Sequence, residues 1–331
     1  MPGSPERAAR VTVMAPARLH LGFLDPGGSL GRRFASMGLA LADIGTRTSI
    51  RTADIEQIEG PEAARVEQYL GMMRRHLRLT GNYAVKVEQT VPAHAGLGSG
   101  TQIALAVATG IRALHDLPPD LAGDAVRLGR GGRSGIGLGT FGRGGLILDG
   151  GRGAETSPPP VISRLAFPDS WRVILVLDPS RHGVHGAEES TAFASLPPFP
   201  EHEAAHLCRL VLMQALPAVA ERNLDAFGAA IRELQARIGD YFAPIQGGSR
   251  FNSPDVALAL ELLDRAGAHG IGQSSWGPTG FAFASSAAEA SRLAALLGTD
   301  ARLRALDIRI CAGLNRGAQI DVHPVVETRN A

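Results

Sequence analysis

Cysteine is almost missing from this chain: 331 residues hold two, Cys208 and Cys311, far apart and without metal-ligand spacing. That excludes a disulfide-stapled scaffold and reads as buried thiols in a reducing compartment. Also missing is any uninterrupted apolar run of membrane-spanning length, so no span is expected. The opening MPGSPERAAR is polar and no apolar stretch follows it, so neither a signal peptide nor export is expected, and the protein is read as cytoplasmic. A charge excess is lacking too. Lys and Arg number 33 against 32 Asp and Glu, a net charge of +1, which argues against bulk attraction to nucleic acid or an anionic membrane. Recognition of an anion must then be local.

What is present is an ordinary globular balance, 44% hydrophobic and 20% charged, at a length that suits two medium domains. The most informative stretch is PAHAGLGSGTQ at 92–102, followed at once by IALAVATGIRAL. Gly96, Gly98 and Gly100 lack a Cβ and flank Leu97, so the backbone can turn tightly and come close to a ligand. The helix behind leaves unpaired N–H groups at its positive end, and Ser99 and Thr101 add hydroxyls. Such a nest suits a phosphate or pyrophosphate. The competing reading is a tight strand-to-helix turn with no ligand.

Periodicity predicts strands over 11–24 (interrupted at Pro16), 36–42, 46–52 and 83–89, and a helix over 61–79. The helix behind the nest is expected from 101 to 115, stopped by Pro118 and Pro119. The glycine-dense run at 129–151 carries interleaved apolar residues and reads as an ordered loop ending in a strand. Prolines 158–160 mark a boundary, giving a flexible segment 1–10, an N-terminal domain 11–157 and a C-terminal domain 161–331. In the second half WRVILVLD reads as a buried strand, with helices at about 201–216 and 222–238. Ser253 is an expected N-cap, and Ser286 with Glu289 an expected capping box. GFAFAS, LDIRICA and AQIDVHP supply three more strands, for an α+β sandwich with helices on one sheet face.

The pairing of APARLHLGF near the start with PAHAGLGSGTQ resembles the GHMP superfamily of small-molecule kinases, and GIGQSSWGPTGFAFA at 270–284 stands where that family has its last glycine loop. Gly100 and Thr101 replace the usual Ser and Ala, Trp276 and Pro278 interrupt the third loop, and RSGIGLGTFGRGGLILDGG is not a general kinase feature. With ARLHLGFLD, these departures resemble one branch, the β-ribofuranosylaminobenzene 5′-phosphate synthases. The resemblance implies an α+β, two-domain fold with an N-terminal half like ribosomal S5 domain 2 and a ferredoxin-like C-terminal half. It implies a pentosyltransferase of methanopterin biosynthesis that joins phosphoribosyl pyrophosphate to 4-aminobenzoate, or a 4-hydroxybenzoate analogue, with loss of carbon dioxide and pyrophosphate. Two other readings stay open: an ATP-dependent GHMP kinase, and a non-catalytic metabolite-binding protein of the same fold.

Leaving-group charge calls for preorganised donors, which the loop Gly96–Thr101 would supply. Magnesium is expected beside it, held by phosphate oxygens, the Ser99 hydroxyl and a carboxylate from Asp25, Glu188 or Glu189. Arg18 and His20 alternate on the first strand and so share a face; with Ser99 they are the expected catalytic set. Arg32 or Arg33, in a glycine-rich loop, would dock a phosphate, while Ser134 and Gly135 belong to the branch-specific run. Ser274, Ser275, Gly277 and Thr279 are expected to contact substrate, and Trp276 either stacks on the benzoate ring or packs. His182, His185 and Glu188 show His-x-x-His-x-x-Glu spacing; a substrate-contacting loop with His185 is expected there, a zinc site being the alternative. Small-molecule partners are expected, without nucleic acid or membrane, and a homodimer is common among such folds.

Overall fold

A computed structural model describes residues 8–154, 158–181, 183 and 186–324, with the side chains of 8, 9 and 186–190 left aside. Strand β1 (Ala8–Asp25) starts inside the segment expected to be flexible and runs antiparallel to β2 (Phe34–Ala53), from Val11 opposite Ile50 to Asp25 opposite Phe34. The ladder slips between Pro16 and Ala17, where proline offers no N–H. The two strands expected over 36–52 are therefore one long strand that bends at this bulge. Next come β3 (Gln57–Glu59), α1 (Ala63–Leu77), β4 (Asn82–Gln89) and α2 (Ser99–Leu114). Helix α1 buries Val66, Tyr69, Leu70 and Met73, which join Ile103, Val107 and Ile111 of α2 over the sheet.

After α3 (Leu121–Arg127), the glycine-rich run holds a helix where a loop was expected, α4 (Ile136–Gly142). Intrinsic propensity would not place it there. Burial of Ile136, Leu138 and Phe141 does. Strands β5 (Leu146–Asp149) and β6 (Val161–Leu165) then pair with each other, and β5 pairs with β2. The prolines at 158–160 thus fall between two strands of one sheet.

The second sheet is antiparallel, in the order β10-β7-β9-β8. Its strand β7 (Arg172–Leu177) is followed by α5 (Gly186–Ser195), α6 (Glu201–Leu210), a π turn at Val211–Ala215, α7 (Leu216–Ala220), α8 (Leu224–Phe242) and α9 (Pro254–Arg265). Then come β8 (His269–Gln273), β9 (Gly280–Ala284), α10 (Ala287–Leu297) and β10 (Asp307–Ala312). Counting helices between strands as crossovers gives β-α-β-β-α-β, the ferredoxin-like arrangement. Ile174, Val176, Ala282 and Ala284 pack under α9 and α10, while Val173, Leu175, Phe281 and Phe283 pack with α8 and with Leu19, Leu21, Met37 and Leu39 of the larger sheet. Helices therefore cover both faces of this sheet, not one, and the continuous apolar run of β7 follows from that. Strand β11 (Gln319–Pro324) returns to pair with β1.

Ser253 caps α9 and Ser286 caps α10 as expected. Glu289 departs from a capping box, because its carboxylate accepts from the N–H and hydroxyl of Ser285. Among the described residues no helix is long and apolar enough to cross a membrane.

Candidate active site

The site forms where β1, the loop before α2 and the loop after β8 touch backbone to backbone. A Cβ on Gly96 (φ +76°) would stand 2.2 Å from the Ser274 carbonyl, and one on Gly277 2.3 Å from the Ala95 carbonyl. Only glycine permits this contact. Polar bonds lock it. The N–H of Arg18 donates to the Leu97 carbonyl at 3.0 Å and its Nη1 to the Gly96 carbonyl at 2.6 Å. The Ser274 hydroxyl donates to that same Gly96 carbonyl at 2.7 Å and accepts the His20 N–H at 3.0 Å. Gly98 (φ +84°) begins α2 and no side chain caps the helix, so its first N–H groups are left for a ligand.

Two cavities open from this junction. One, of about 310 Å³, is lined by Gly96 and by Gly98 through Thr101 of the nest together with Arg65. The other, of about 510 Å³, is lined by His20, Phe23, Arg133, Ser134 and Arg152. Arg18, Thr101, Arg130 and Ser275 line both. Arg130 reaches over the first turn of α2, its Nη1 3.1 Å from where a Gly100 Cβ would be, and donates to the Tyr69 hydroxyl. Among the described lining residues no Asp or Glu occurs. A third, much smaller cavity of about 20 Å³ lies behind His20 and Phe23, against Phe242 and Trp276. Ser275, held at φ +55°, borders all three.

His20 is 2% exposed, and burial, helped by the nearby Arg18 charge, pulls its pKa well below 6.5, so the imidazole is neutral. Asp149 anchors the branch-specific loop. It accepts from Ser36 N–H (3.1 Å) and hydroxyl (2.5 Å), Gly135 N–H (2.8 Å), Gly151 N–H (2.9 Å) and Ser134 hydroxyl (3.2 Å). Burial raises its pKa, and these donors oppose the rise.

This architecture and its glycine loops are shared with known proteins. Residues 63–141 match the family described as GHMP kinases N terminal domain, and 215–298 the one described as GHMP kinases C terminal. The chain is 32% identical to beta-ribofuranosylphenol 5′-phosphate synthase of Methanothermobacter thermautotrophicus over 80% of its own length and 86% of that protein's. It is 34% identical to the Archaeoglobus fulgidus protein of the same name, over 83% and 88%. The chain belongs to the beta-ribofuranosylphenol 5′-phosphate synthase family. Within it the chain is an enzyme, built on the GHMP kinase fold. Homoserine kinase of Cytophaga hutchinsonii superposes with a TM-score of 0.67 at 15% identity, covering 96% of this chain and 99% of that one. Mevalonate diphosphate decarboxylase of Staphylococcus aureus does so at 0.65 and 16%, covering 95% and 98%. Both likenesses concern the fold.

In this family member the structure gathers Arg18, His20, Ser99, Gly96, Gly98, Gly100, Thr101, Ser134, Ser275, Trp276 and Gly277 around the junction. Others lie elsewhere. Leu97 is fully buried in the core, anchoring the loop from beneath. Ser274 is buried with its hydroxyl engaged between Gly96 and His20, and Thr279 is buried behind it. Gly135 serves through its N–H on Asp149. Arg32 clasps the carbonyls of Gly150 and Gly151 at 2.7 and 2.6 Å, and Arg33 donates to the Pro26 carbonyl; neither lines the two large cavities. His182 and His185 lie outside the described residues, as does the Glu188 side chain, on a segment that is helical as α5. Trp276 is 3% exposed and packs against Phe193 and Phe242 at 5.1 and 4.4 Å, so its ring is chiefly a packing element. Sequence reasoning missed Arg65, Arg130, Arg152 and the Asp149 hub. For Arg130, and for Arg133 beside it, the spacing in GRGGRSG was the available signal.

Of the carboxylates expected to hold magnesium, Glu188 and Glu189 have side chains outside the described residues. Asp25 uses Oδ1 to accept the Gly28 N–H at 2.7 Å and borders neither large cavity. Among the described residues no group of His, Cys, Asp or Glu is arranged to hold a metal.

Proposed function

We propose that this protein transfers the 5-phosphoribosyl unit of phosphoribosyl pyrophosphate to the carboxylate-bearing ring carbon of 4-hydroxybenzoate or 4-aminobenzoate. The observation that carries this reading is the sharing of Arg18 and Arg130 by two cationic chambers. The donor has two anionic ends, a pyrophosphate on C1 and a phosphate on C5. The nest chamber suits the first and the Arg133–Arg152 chamber the second, each through arginine forks and hydroxyls. The names of the family relatives, which specify a ribofuranosylphenol 5′-phosphate, agree with a phosphorylated riboside product. A place in methanopterin biosynthesis is proposed on the same resemblance.

The chemistry asks little of a general base. The C1–O bond breaks with its electrons going to pyrophosphate, where the α2 amides, Ser99 and Arg130 meet the growing charge. A ring π pair forms the new bond to C1. The bond to the carboxylate then breaks, carbon dioxide leaves, and its electron pair restores aromaticity. No carbon-bound proton is removed, so a neutral, buried His20 is compatible with the role of a wall rather than a base. Holding donor and acceptor at the junction supplies much of the acceleration. Magnesium is assigned to the substrate, carried on pyrophosphate oxygens.

Incubation with phosphoribosyl pyrophosphate, Mg²⁺ and either benzoate is expected to release carbon dioxide and pyrophosphate in equal amounts. ATP consumption on a small alcohol without either product would make it a kinase instead, and no turnover at all a binding protein.

A further inference from the structure

Helix α1 turns one face toward the nest. Arg65 lines the 310 Å³ chamber, and Tyr69, one helical turn further on, meets the Arg130 guanidinium. We infer that Tyr69 is a positioning residue. Through its hydroxyl it holds Arg130 flat against the first turn of α2, in a gap that exists because residue 100 is glycine, and so readies a cation for the pyrophosphate group. This rests on the reading above that the nest takes pyrophosphate.

The backbone of Arg130 is fixed by the end of α3. Gly129 turns left-handed at φ +67°, its N–H donating to the Val126 carbonyl at 3.0 Å, and the Arg130 N–H donates to the Ala125 carbonyl at 2.7 Å. This is a Schellman turn, which stops the helix and sets the direction of the next residue. Gly131 follows at φ +76°, so Arg130 stands in a corner between two glycines.

The side chain is fixed by Tyr69 and Gly100. The guanidinium carbon lies 5.5 Å from the centre of the Tyr69 ring, and Nη2 donates to the Tyr69 hydroxyl. A Cβ built on Gly100 would stand 3.1 Å from Nη1, 3.3 Å from Cζ and 3.5 Å from Nη2. Three guanidinium atoms at nearly equal distance mean that the plane lies face-on over Gly100. Any side chain there would push it back. Tyr69 is itself buried in the core that α1 and α2 share, so it is a firm support. Among the described residues its hydroxyl is the one hydrogen-bond acceptor of the Arg130 side chain. The ring supplies contact, and the hydroxyl supplies direction. A guanidinium held this way gives up little freedom when an anion arrives and need not reorient as charge grows on the leaving group.

The test is a double-mutant cycle of Arg130→Met with Tyr69→Phe, which keeps the buried ring and removes only the hydroxyl. Tyr69→Phe alone is expected to weaken the binding of inorganic pyrophosphate, read by calorimetry, about fivefold. With phosphoribosyl pyrophosphate and a benzoate it should lower kcat about tenfold and leave the KM for the benzoate unchanged. In the Arg130→Met background the same substitution should change neither binding nor kcat by more than about twofold. Gly100→Ala is the second variant. It should lower kcat only while Arg130 is present, yet melt at the wild-type temperature or above, because alanine favours a helix over glycine.

A merely structural Tyr69 would act equally in both backgrounds. Equal losses there, or a Tyr69→Phe protein that binds pyrophosphate as tightly as wild type, overturn the positioning role. A wild type that binds pyrophosphate but turns over neither benzoate overturns the proposed function, while a coupled binding cycle still upholds Tyr69. A wild type that binds no pyrophosphate overturns both.

Discussion

The two ends of α2 treat arginine in opposite ways. At the C-terminal end Arg112 is buried in a fork with Asp124, at 2.5 and 2.8 Å, while Arg127 bridges Asp120 and Asp124 at 2.6 and 2.9 Å. The hydrogen bonds that Arg112 donates to Asp124 raise the Arg112 pKa, and the one that Arg127 donates to Asp120 lowers that of Asp120. At the N-terminal end Arg18 and Arg130 gather over uncapped amides, Arg18 donating to the Gly96 carbonyl and Arg130 to the Tyr69 hydroxyl. Cations matched by protein anions serve stability. Cations converging on a helix N-terminus serve a ligand that brings its own negative charge.

The sharpest way to break that contrast is at the matched end. Arg112→Met would leave the buried Asp124 carboxylate with Arg127 alone and should cost about 3 kcal/mol in a denaturant titration, with kcat per folded molecule unchanged. At the other end Arg130→Met should do the reverse. Pyrophosphate release would fall about 100-fold in kcat/KM, on the scale of losing one preorganised donor, while the unfolding midpoint stays close to wild type. A smaller effect is expected from Ser99→Ala, roughly tenfold in kcat, because a neutral hydroxyl contributes less than a guanidinium. Wild-type rates in that variant would remove Ser99 from the site.

The smallest effect concerns pH. His20 has its pKa lowered by burial, so the unfolded chain takes up a proton below the ordinary value of 6.5 while the folded one resists. Stability from this group is complete above that pH and declines as pH falls toward the depressed folded value. His20→Gln should therefore flatten part of the loss in unfolding free energy between pH 7.5 and pH 5.

Local signals carried much of this into the sequence. Alternating glycines before an apolar helix, a proline in a strand and a serine before Pro254 each act within a few residues, and the nest, the bulge and the α9 cap are where they indicate. What stayed hidden depends on distant parts of the chain. Helix α4 is poor in helix formers and stands on Asp149, which follows it and fixes Gly135 at its start. Nothing local tells Arg130 from Arg32; only the fold turns the first toward α2 and the second onto the carbonyls of Gly150 and Gly151. For Trp276 stacking and packing both stayed open, because a tryptophan in a glycine loop has no visible neighbours in sequence. The structure gives it Phe193 and Phe242.

The return of β11 to β1 sets an order of events during synthesis. Thr12 and His323 meet although 311 positions separate them, so the outer edge of β1 stays open until the residues between them have left the ribosome. An open edge is a template for wrong pairing, and such distant closure is slow. Deleting β11 should thus yield a chain that builds its nest yet clumps in the cell, a fault of assembly and not of chemistry.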